Sequence, residues 1–192
     1  MSNLNDATMQ NISAKDTIDN QASGKFSIQE LDFSSQGLAI LRIALGVIIL
    51  VSWWDNLTKE PTSLYTGEGL MGLFNWLFDP NGNGSSLTFY KALMDATVLQ
   101  VPGLFAVFQM VTELLMGIGL LVGGFSRFFG LAATFFFLNL FLAYFGGHEW
   151  IWTYVLLTVS SLAITLSYAG RTWGIDRLIY QSRGKPPVDL LW

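Results

Sequence analysis

The chain has 192 residues, of which 52% are hydrophobic and 12% are charged, whereas soluble domains average roughly 25% charged residues. Because it contains no cysteine, disulfides, iron–sulfur clusters and cysteine-bound metals are excluded within the chain, and the single histidine, His148, excludes an intrachain bis-histidine haem. The formal net charge of −4 argues against nucleic acid as a partner.

The N-terminal segment, residues 1–34, is rich in Asn, Asp, Ser, Gln and Lys and lacks the apolar core of a cleavable signal peptide. We therefore expect a polar tail that is flexible or bound to a partner. The first apolar helix must then act as its own membrane signal.

Four apolar stretches follow, at residues 36–54, 104–125, 128–145 and 151–168. At about 1.5 Å rise per residue, about 18 to 22 residues cross a hydrocarbon core of about 30 Å. We therefore expect an all-α membrane protein with four transmembrane helices within residues 35–168. A soluble bundle of apolar helices is the alternative, but it needs amphipathic faces. Residues 128–145 are apolar all round except for Thr134, Asn139 and Tyr144.

Lysine and arginine positions predict the orientation in the membrane. With four spans both termini share one side, and most basic residues fall there: Lys15, Lys25, Arg127, Arg171, Arg177, Arg183 and Lys185. The opposite side receives only Lys59 and Lys91. We expect an inner-membrane protein with both termini in the cytoplasm, an outward loop at residues 55–103, and a cytoplasmic interfacial segment at residues 169–192.

The outward loop is expected to carry short interfacial helices. Residues 70–78 are aromatic and apolar but too short to span, which indicates an interfacial or re-entrant helix. Residues 79–86 predict a turn, and residues 86–100 a further helix. The turn superficially matches the start of a calcium loop, but the acid required at its twelfth position is replaced by Tyr90.

Two ionisable groups of opposite charge fall inside apolar stretches, Arg42 in the first and Glu113 in the second. Such groups are costly in hydrocarbon and face protein, water or a partner ion. We expect them to form one polar centre inside the bundle, with Gln109 one helical turn before Glu113. Three interpretations remain open. The pair fixes helix packing, Arg42 extends to the lipid headgroups, or the two groups form a quinone pocket in which Glu113 accepts or delivers protons.

The outer ends of the helices are dense in aromatic and ionisable residues, which give a second candidate site. Trp53 and Asp55 end the first stretch, and His148, Glu149 and Trp152 join the third to the fourth. Tryptophans at this depth usually form an interfacial belt. The acids and His148 could also form an outward-facing site with His148 as proton carrier. His148, Lys59 and Lys91 could attract an anion that arrives from outside. Their spacing does not specify a metal site.

Polar residues on the third and fourth stretches add candidates. Asn139 interrupts an otherwise apolar stretch and is expected to hydrogen-bond a neighbour or a ligand. Hydroxyl groups recur every three or four residues along the fourth: Tyr154, Thr158, Ser161, Thr165 and Tyr168. Such a stripe either forms interhelical hydrogen bonds or lines a cavity that faces Glu113.

Several segments together resemble the DoxX/DoxD family of four-helix membrane proteins. They are LRIALGVIILVSWWDNL, VTELLMGIGLLVGGFSRFFG, NLFLAYFGGHEWIWTYVLL and the closing AGRTWGIDRLI, which has the family's glycine-arginine and Ile-Asp-X-Leu pattern. The resemblance covers about residues 36–180, and the Glu-Trp-X-Trp-Thr-Tyr stretch favours DoxD.

The resemblance implies the membrane subunit of a thiosulfate:quinone oxidoreductase, which joins two thiosulfates into tetrathionate and passes the electrons to quinone. It also implies a separate DoxA-like subunit, because no such domain follows residue 180. We expect Glu113, Arg42 and His148 to act in catalysis and quinone to bind among Trp53, Asp55, Gln109, Asn139, Glu149, Trp152 and Tyr154. The alternative is a non-catalytic accessory subunit of a larger respiratory or photosynthetic membrane complex.

Overall fold

The computed structural model describes residues 28–183, with side chains from residue 35 to residue 182. The chain divides into two units, Met1–Ser35 and Gln36–Trp192. Most of the predicted tail, residues 1–27, lies outside the described residues. In the first unit only the beginning of a helix is described, and the packing below belongs to the second unit.

The described part of the chain is helical and contains no strand. Its helices are α1 Ile28–Thr58, α2 Gly67–Phe78, α3 Thr88–Ala96, α4 Pro102–Val122, α5 Ser126–Tyr144, α6 Trp152–Leu166 and α7 Ile175–Arg183. Short 3-10 turns occur at Val98–Gln100 and Ala169–Arg171. All four apolar stretches therefore form helices, and α1 continues beyond its predicted end.

Within residues 28–183, three helical segments are long and apolar enough to cross a membrane: Ser35–Thr58, Pro102–Val122 and Ser126–Tyr144. The fourth apolar helix, α6, has 15 residues. It is shorter than predicted because Ser167 takes an extended backbone conformation that ends it. The described part of the chain thus has three helices of spanning length and one shorter apolar helix.

The four apolar helices share one core. Leu45 and Ile49 of α1 pack with Leu120 of α4, Phe137 of α5 and Ile164 of α6. The backbones of α1 and α4 approach closely at Gly46, where a Cβ atom would lie 2.6 Å from the Leu121 amide nitrogen. Only glycine fits this crossing, so the position of α4 against α1 is fixed.

The segment between α1 and α4 packs on the bundle through a second core. Leu70, Phe74 and Leu77 of α2 are buried with Tyr90 of α3 and Ala143 of α5. The opposite face of α2 leaves Met71 and Trp76 exposed. The predicted interfacial helix therefore buries one face against the bundle, which brings its preceding loop close to the spans.

Candidate functional site

Glu113 lies on α4 in a buried polar cluster with Tyr65 and Gln109. Its side chain is 2% exposed. One carboxylate oxygen, Oε2, accepts a hydrogen bond from the Tyr65 hydroxyl at 2.7 Å, and Oε1 accepts one from the Gln109 amide at 2.7 Å. Because both oxygens have a donor, the carboxyl group is held by protein and not by lipid.

Tyr65 comes from the loop between α1 and α2 and is itself buried. Burial and its hydrogen bond to Glu113 raise the pKa of Tyr65 above its ordinary value, so the hydroxyl remains a donor. The Asn56 side chain interacts with both groups. The Trp53 ring lies 6.5 Å from the Tyr65 ring, and its indole nitrogen donates to the Met110 carbonyl at 3.1 Å. Sequence reasoning missed Tyr65, whose local sequence is that of an ordinary polar loop.

Arg42 belongs to a different cluster at the other end of the bundle, and the expectation of one polar centre is wrong. Its Nη1 donates to the Leu120 carbonyl, and its Nη2 donates to the Trp173 carbonyl at 3.1 Å. Leu120 lies about 10 Å along α4 from Glu113, at about 1.5 Å per residue. Arg42 therefore closes the C-terminal end of α4, whose carbonyls lack partners within the helix.

Asp176 completes this second cluster, which we call the Arg42 clamp (Arg42, Ser126 and Asp176). Asp176 is fully buried and interacts electrostatically with Arg42. Its carboxylate accepts hydrogen bonds from the Phe125 and Ser126 amides, at 2.7 and 2.9 Å, and from the Ser126 hydroxyl at 2.6 Å. This caps the N-terminus of α5, where the helix dipole favours an anion. The closing Ile-Asp pattern marked Asp176 in the sequence, but no role was assigned to it.

His148 joins two loops at the end of the bundle away from Arg42. Its Nδ1 lies 2.9 Å from the Asn83 carbonyl and 3.1 Å from the Gly82 carbonyl, so that nitrogen carries a proton. The Asn83 side chain is fully buried and accepts a hydrogen bond from the Glu149 amide at 3.1 Å. These hydrogen bonds hold the turn at residues 79–86 against the α5–α6 loop. No group of three His, Cys, Asp or Glu suited to a metal occurs among the described residues.

Glu113 lines two cavities, and a third pocket shares lining residues with both of them. The lateral cavity, about 270 Å³, is lined mainly by apolar side chains of α2 to α5, together with Gln109, Glu113 and Asn139. The central cavity, about 340 Å³, also has Gln109 and Glu113 in its wall and adds Asn56 and Tyr154. The third pocket, which we call the outer pocket because it includes Glu149 of the loop predicted to face outward, has a volume of about 550 Å³. It is lined by Asn56, Lys59, Glu60, Glu68, Glu149 and several less polar residues. Glu113 therefore lies in the wall shared by an apolar cavity and a more polar one.

The other predicted residues are distributed unevenly around these cavities. Asn139 accepts a hydrogen bond from the Tyr90 hydroxyl at 2.9 Å in the lateral cavity, and burial raises the pKa of Tyr90 to about 12. Tyr154 stacks on Tyr144 with ring centroids 4.9 Å apart. Trp152 is 62% exposed and lines none of the three cavities. Asp55 is also exposed, and it too is absent from their walls.

The hydroxyl stripe of α6 is largely satisfied within its own helix. Thr158, Ser161 and Thr165 each donate to the carbonyl four residues earlier, at 2.7 to 2.9 Å. This local bonding differs from the interhelical bonding expected from the sequence. Only Tyr154 of the stripe reaches the central cavity.

Comparison with known proteins identifies the family. The family model described as DoxX matches residues 37–149. This range contains Tyr65, Gln109 and Glu113. No curated protein and no solved structure matches the chain significantly. With its long apolar helices, the chain is a multi-pass membrane protein. Because the match covers more than half of the 192 residues, the chain belongs to the DoxX family.

Proposed function

We propose that this chain is the membrane subunit of a quinone-linked oxidoreductase of thiosulfate:quinone type, with Glu113 at its quinone site. The main support is that Glu113 is buried in a span, has a donor on each oxygen, and lies in the wall of the lateral cavity. An ionisable group within a membrane span is costly and marks a functional site by default.

The lateral cavity fits a quinone head group. Its volume of about 270 Å³ is close to the lower end of the range of small-molecule pockets, about 300 to 1,000 Å³. Aromatic residues such as Phe74 and Phe105 form its apolar wall, and Gln109 and Asn139 supply amides for the ring oxygens. Phe108 lines the cavity and is 62% exposed on the bundle surface. A prenyl tail would leave the cavity at this point.

Reduction of a quinone to a quinol takes up two electrons and two protons. In the proposed enzyme, Glu113 delivers a proton to a quinone oxygen, while Tyr65 and Gln109 orient its carboxyl group. The electrons come from oxidation of thiosulfate to tetrathionate, which the resemblance to DoxD assigns to an enzyme that includes a separate DoxA-like subunit.

The proposed topology has four spans in the inner membrane, with α6 as the fourth and both termini in the cytoplasm. At about 1.5 Å per residue, α6 is about 22 Å long, shorter than a hydrocarbon core of about 30 Å. Trp150 and Trp152 at one end and Tyr168 beyond the other are suited to the interfaces and would anchor a short span. The excess of Arg and Lys near the α4–α5 turn and α7 supports the orientation.

The proposal is tested with purified protein in lipid nanodiscs. Binding of a short-chain quinone and thiosulfate-dependent quinone reduction are measured, alone and with a candidate partner subunit. Glu113→Gln should lower turnover by at least about 100-fold, as expected for loss of a proton donor. Asp95→Asn, which breaks only an exposed ion pair with Lys91, is the control and should leave turnover unchanged. Unchanged binding and turnover in Glu113→Gln would refute the proposal.

A non-catalytic accessory subunit is the second candidate, and the roles of two residues favour it. Arg42 closes a helix end and His148 joins two loops. Both residues therefore have a structural role that does not depend on a substrate. In that case Glu113→Gln leaves the activity of the host complex intact, whereas deletion of residues 1–34 loosens its association.

A further inference from the structure

The outer pocket has the wrong sign of charge for the anion expected from the sequence. Its wall contains three carboxylates, Glu60, Glu68 and Glu149, and one ammonium group, Lys59. Lys91, expected to assist, is on α3, where it forms an ion pair with Asp95 at 2.7 Å. A dianion such as thiosulfate is therefore repelled by this pocket, whereas protons and small cations are attracted.

The outer pocket and the central cavity are neighbours that share part of their lining. Asn56 and Leu64 line both the outer pocket and the central cavity. Asn56 also interacts with Tyr65 and Glu113. The central cavity, which Glu113 lines, therefore lies beside the acidic outer pocket.

The opposite side of Glu113 has a different character. The lateral cavity shares Glu113 and Gln109 with the central cavity, but most of its remaining wall is apolar. Val98, Phe105 and Phe108 belong to this apolar part, and Phe108 is also exposed on the surface of α4. A charged solute is excluded from such a surface, whereas an apolar ring is accepted.

We infer that Glu113 is reached by two chemically different routes: an acidic aqueous route from the outer pocket that admits protons and small cations, and an apolar route through the lateral cavity that admits a hydrophobic ring. The routes are a property of the cavities alone. Their assignment to quinone chemistry rests on the proposed function, and it places oxidation of the sulfur anion on the partner subunit.

Atoms, electrons and protons balance when thiosulfate is oxidised on the partner subunit and quinone is reduced in the lateral cavity. On the partner subunit, two thiosulfate ions form one sulfur–sulfur bond and release two electrons without releasing a proton. In the lateral cavity, quinone takes up those two electrons and two protons to form quinol. Both protons come from water through the outer pocket, because Glu113 is reprotonated from the central cavity after each transfer.

The routes are tested by cysteine accessibility, for which a chain without native cysteine is well suited. Single variants in proteoliposomes are Thr62→Cys in the outer pocket, Leu64→Cys in the wall shared with the central cavity, and Thr112→Cys in the lateral cavity. Ile118→Cys, on the exposed face of α4, is the control. Each is treated with a trimethylammonium methanethiosulfonate, a sulfonate methanethiosulfonate or an uncharged apolar maleimide.

The expected result is that Thr62→Cys and Leu64→Cys react at least about tenfold faster with the cationic than with the anionic reagent, relative to a small free thiol. Changing Glu60, Glu68 and Glu149 together to Gln should remove this preference. Thr112→Cys should react with the maleimide alone. Because two positions sample the aqueous route, loss of one variant to misfolding leaves the comparison intact.

Equal rates with the two charged reagents, or faster reaction with the anion, would overturn the acidic route. Reaction of Thr112→Cys with charged reagents as fast as that of Leu64→Cys would overturn the apolar route. Labelling requires neither quinone nor turnover. The routes can therefore fail while quinone reduction is observed, and they can hold while the proposed activity is absent.

Discussion

The Tyr65 hydroxyl donates a 2.7 Å hydrogen bond to Glu113, joining the loop after α1 to the middle of α4. Through this bond the outer segment supplies part of the environment of a carboxyl group that lies within a membrane span. The loop is therefore part of the candidate site and not merely a connection. Its conformation and the orientation of the carboxyl group should change together.

Tyr65→Phe is expected to loosen the Glu113 cluster. The variant keeps the ring but leaves Oε2 of Glu113 without its donor, and a hydrogen bond to a charged group contributes about 1.5 to 3 kcal/mol. The free energy of unfolding in mild detergent should fall by about that amount. If Glu113 serves quinone reduction, turnover should fall as well, because its orientation is lost.

Tyr168→Phe is the matched control for this prediction. Tyr168 is 48% exposed, and its ring, which contacts Arg171 and Arg127, is retained in the variant. Stability should change by less than about 0.5 kcal/mol. A similar loss in both variants would show that the Tyr65 hydroxyl contributes nothing particular to Glu113.

The separation of Arg42 from Glu113 predicts additive effects. Arg42→Gln should destabilise the fold by about 1.5 to 3 kcal/mol or more, since it removes the charged donors to the Leu120 and Trp173 carbonyls and the positive charge near buried Asp176. Glu113→Gln should cost less, because Gln retains one acceptor oxygen. Since the two clusters are about 10 Å apart along α4, the double variant should equal the sum of the single changes within about 0.5 kcal/mol.

A double-mutant cycle of unfolding free energies provides the measurement. A coupling energy well above about 0.5 kcal/mol would mean that the two groups interact directly after all. The cycle of Arg42→Gln with Asp176→Asn is the internal reference. It should show strong coupling, because these residues belong to one cluster.

The elements of this fold were predictable from the sequence, but the site was predictable only in part. Hydropathy marks the four apolar helices because lipid-facing residues must be apolar whatever their partners. The spacing of Gln109 and Glu113 placed both on one face of α4, and their hydrogen bond agrees with it. Local periodicity is sufficient for contacts of this kind.

Contacts between distant segments carry no such signal. Arg42 is held by backbone carbonyls at the end of α4 and in the segment before α7. Because every residue has a carbonyl, no pattern of side chains revealed these partners. Opposite charge suggested Glu113 as its partner, but the buried acid near Arg42 is Asp176, far away in the sequence. Tyr65 and Asn83 were missed for the same reason, since each lies in a polar loop whose docking depends on the tertiary structure.

Gly123 gives a sharp test of the Arg42 clamp. It ends α4 with a positive φ of 66°, and a Cβ atom there would lie 2.3 Å from Nη1 of Arg42. Gly123→Ala should therefore destabilise the protein by more than about 1 kcal/mol, through backbone strain and displacement of the guanidinium.

Gly37→Ala is the matched control, because a Cβ atom at Gly37 meets nothing within 4 Å and the residue lies in α1. Alanine there should be neutral or stabilise by up to about 1 kcal/mol, through its higher helix propensity. The free energies of unfolding of both variants, measured by chemical denaturation, provide the test. Equal effects would show that the α4–α5 turn tolerates side chains and that the Arg42 clamp is not tightly packed.

Tyr90 predicts a loss of stability at alkaline pH. An unfolded tyrosine titrates near pH 10, whereas burial raises the pKa of Tyr90 to about 12 in the folded state. Below about pH 10, Tyr90 keeps its hydroxyl proton in both the folded and the unfolded state. Its full contribution to the free energy of unfolding is therefore retained. Between about pH 10 and 12 the unfolded state loses the proton first, so stability falls by up to about 1.4 kcal/mol per pH unit.

Tyr90→Phe should show a shallower decline over this window and, at neutral pH, a cost of about 1 kcal/mol for the lost bond to Asn139. Melting temperatures measured from pH 8 to 12 provide the check, and parallel curves for the two proteins would refute the assignment to Tyr90.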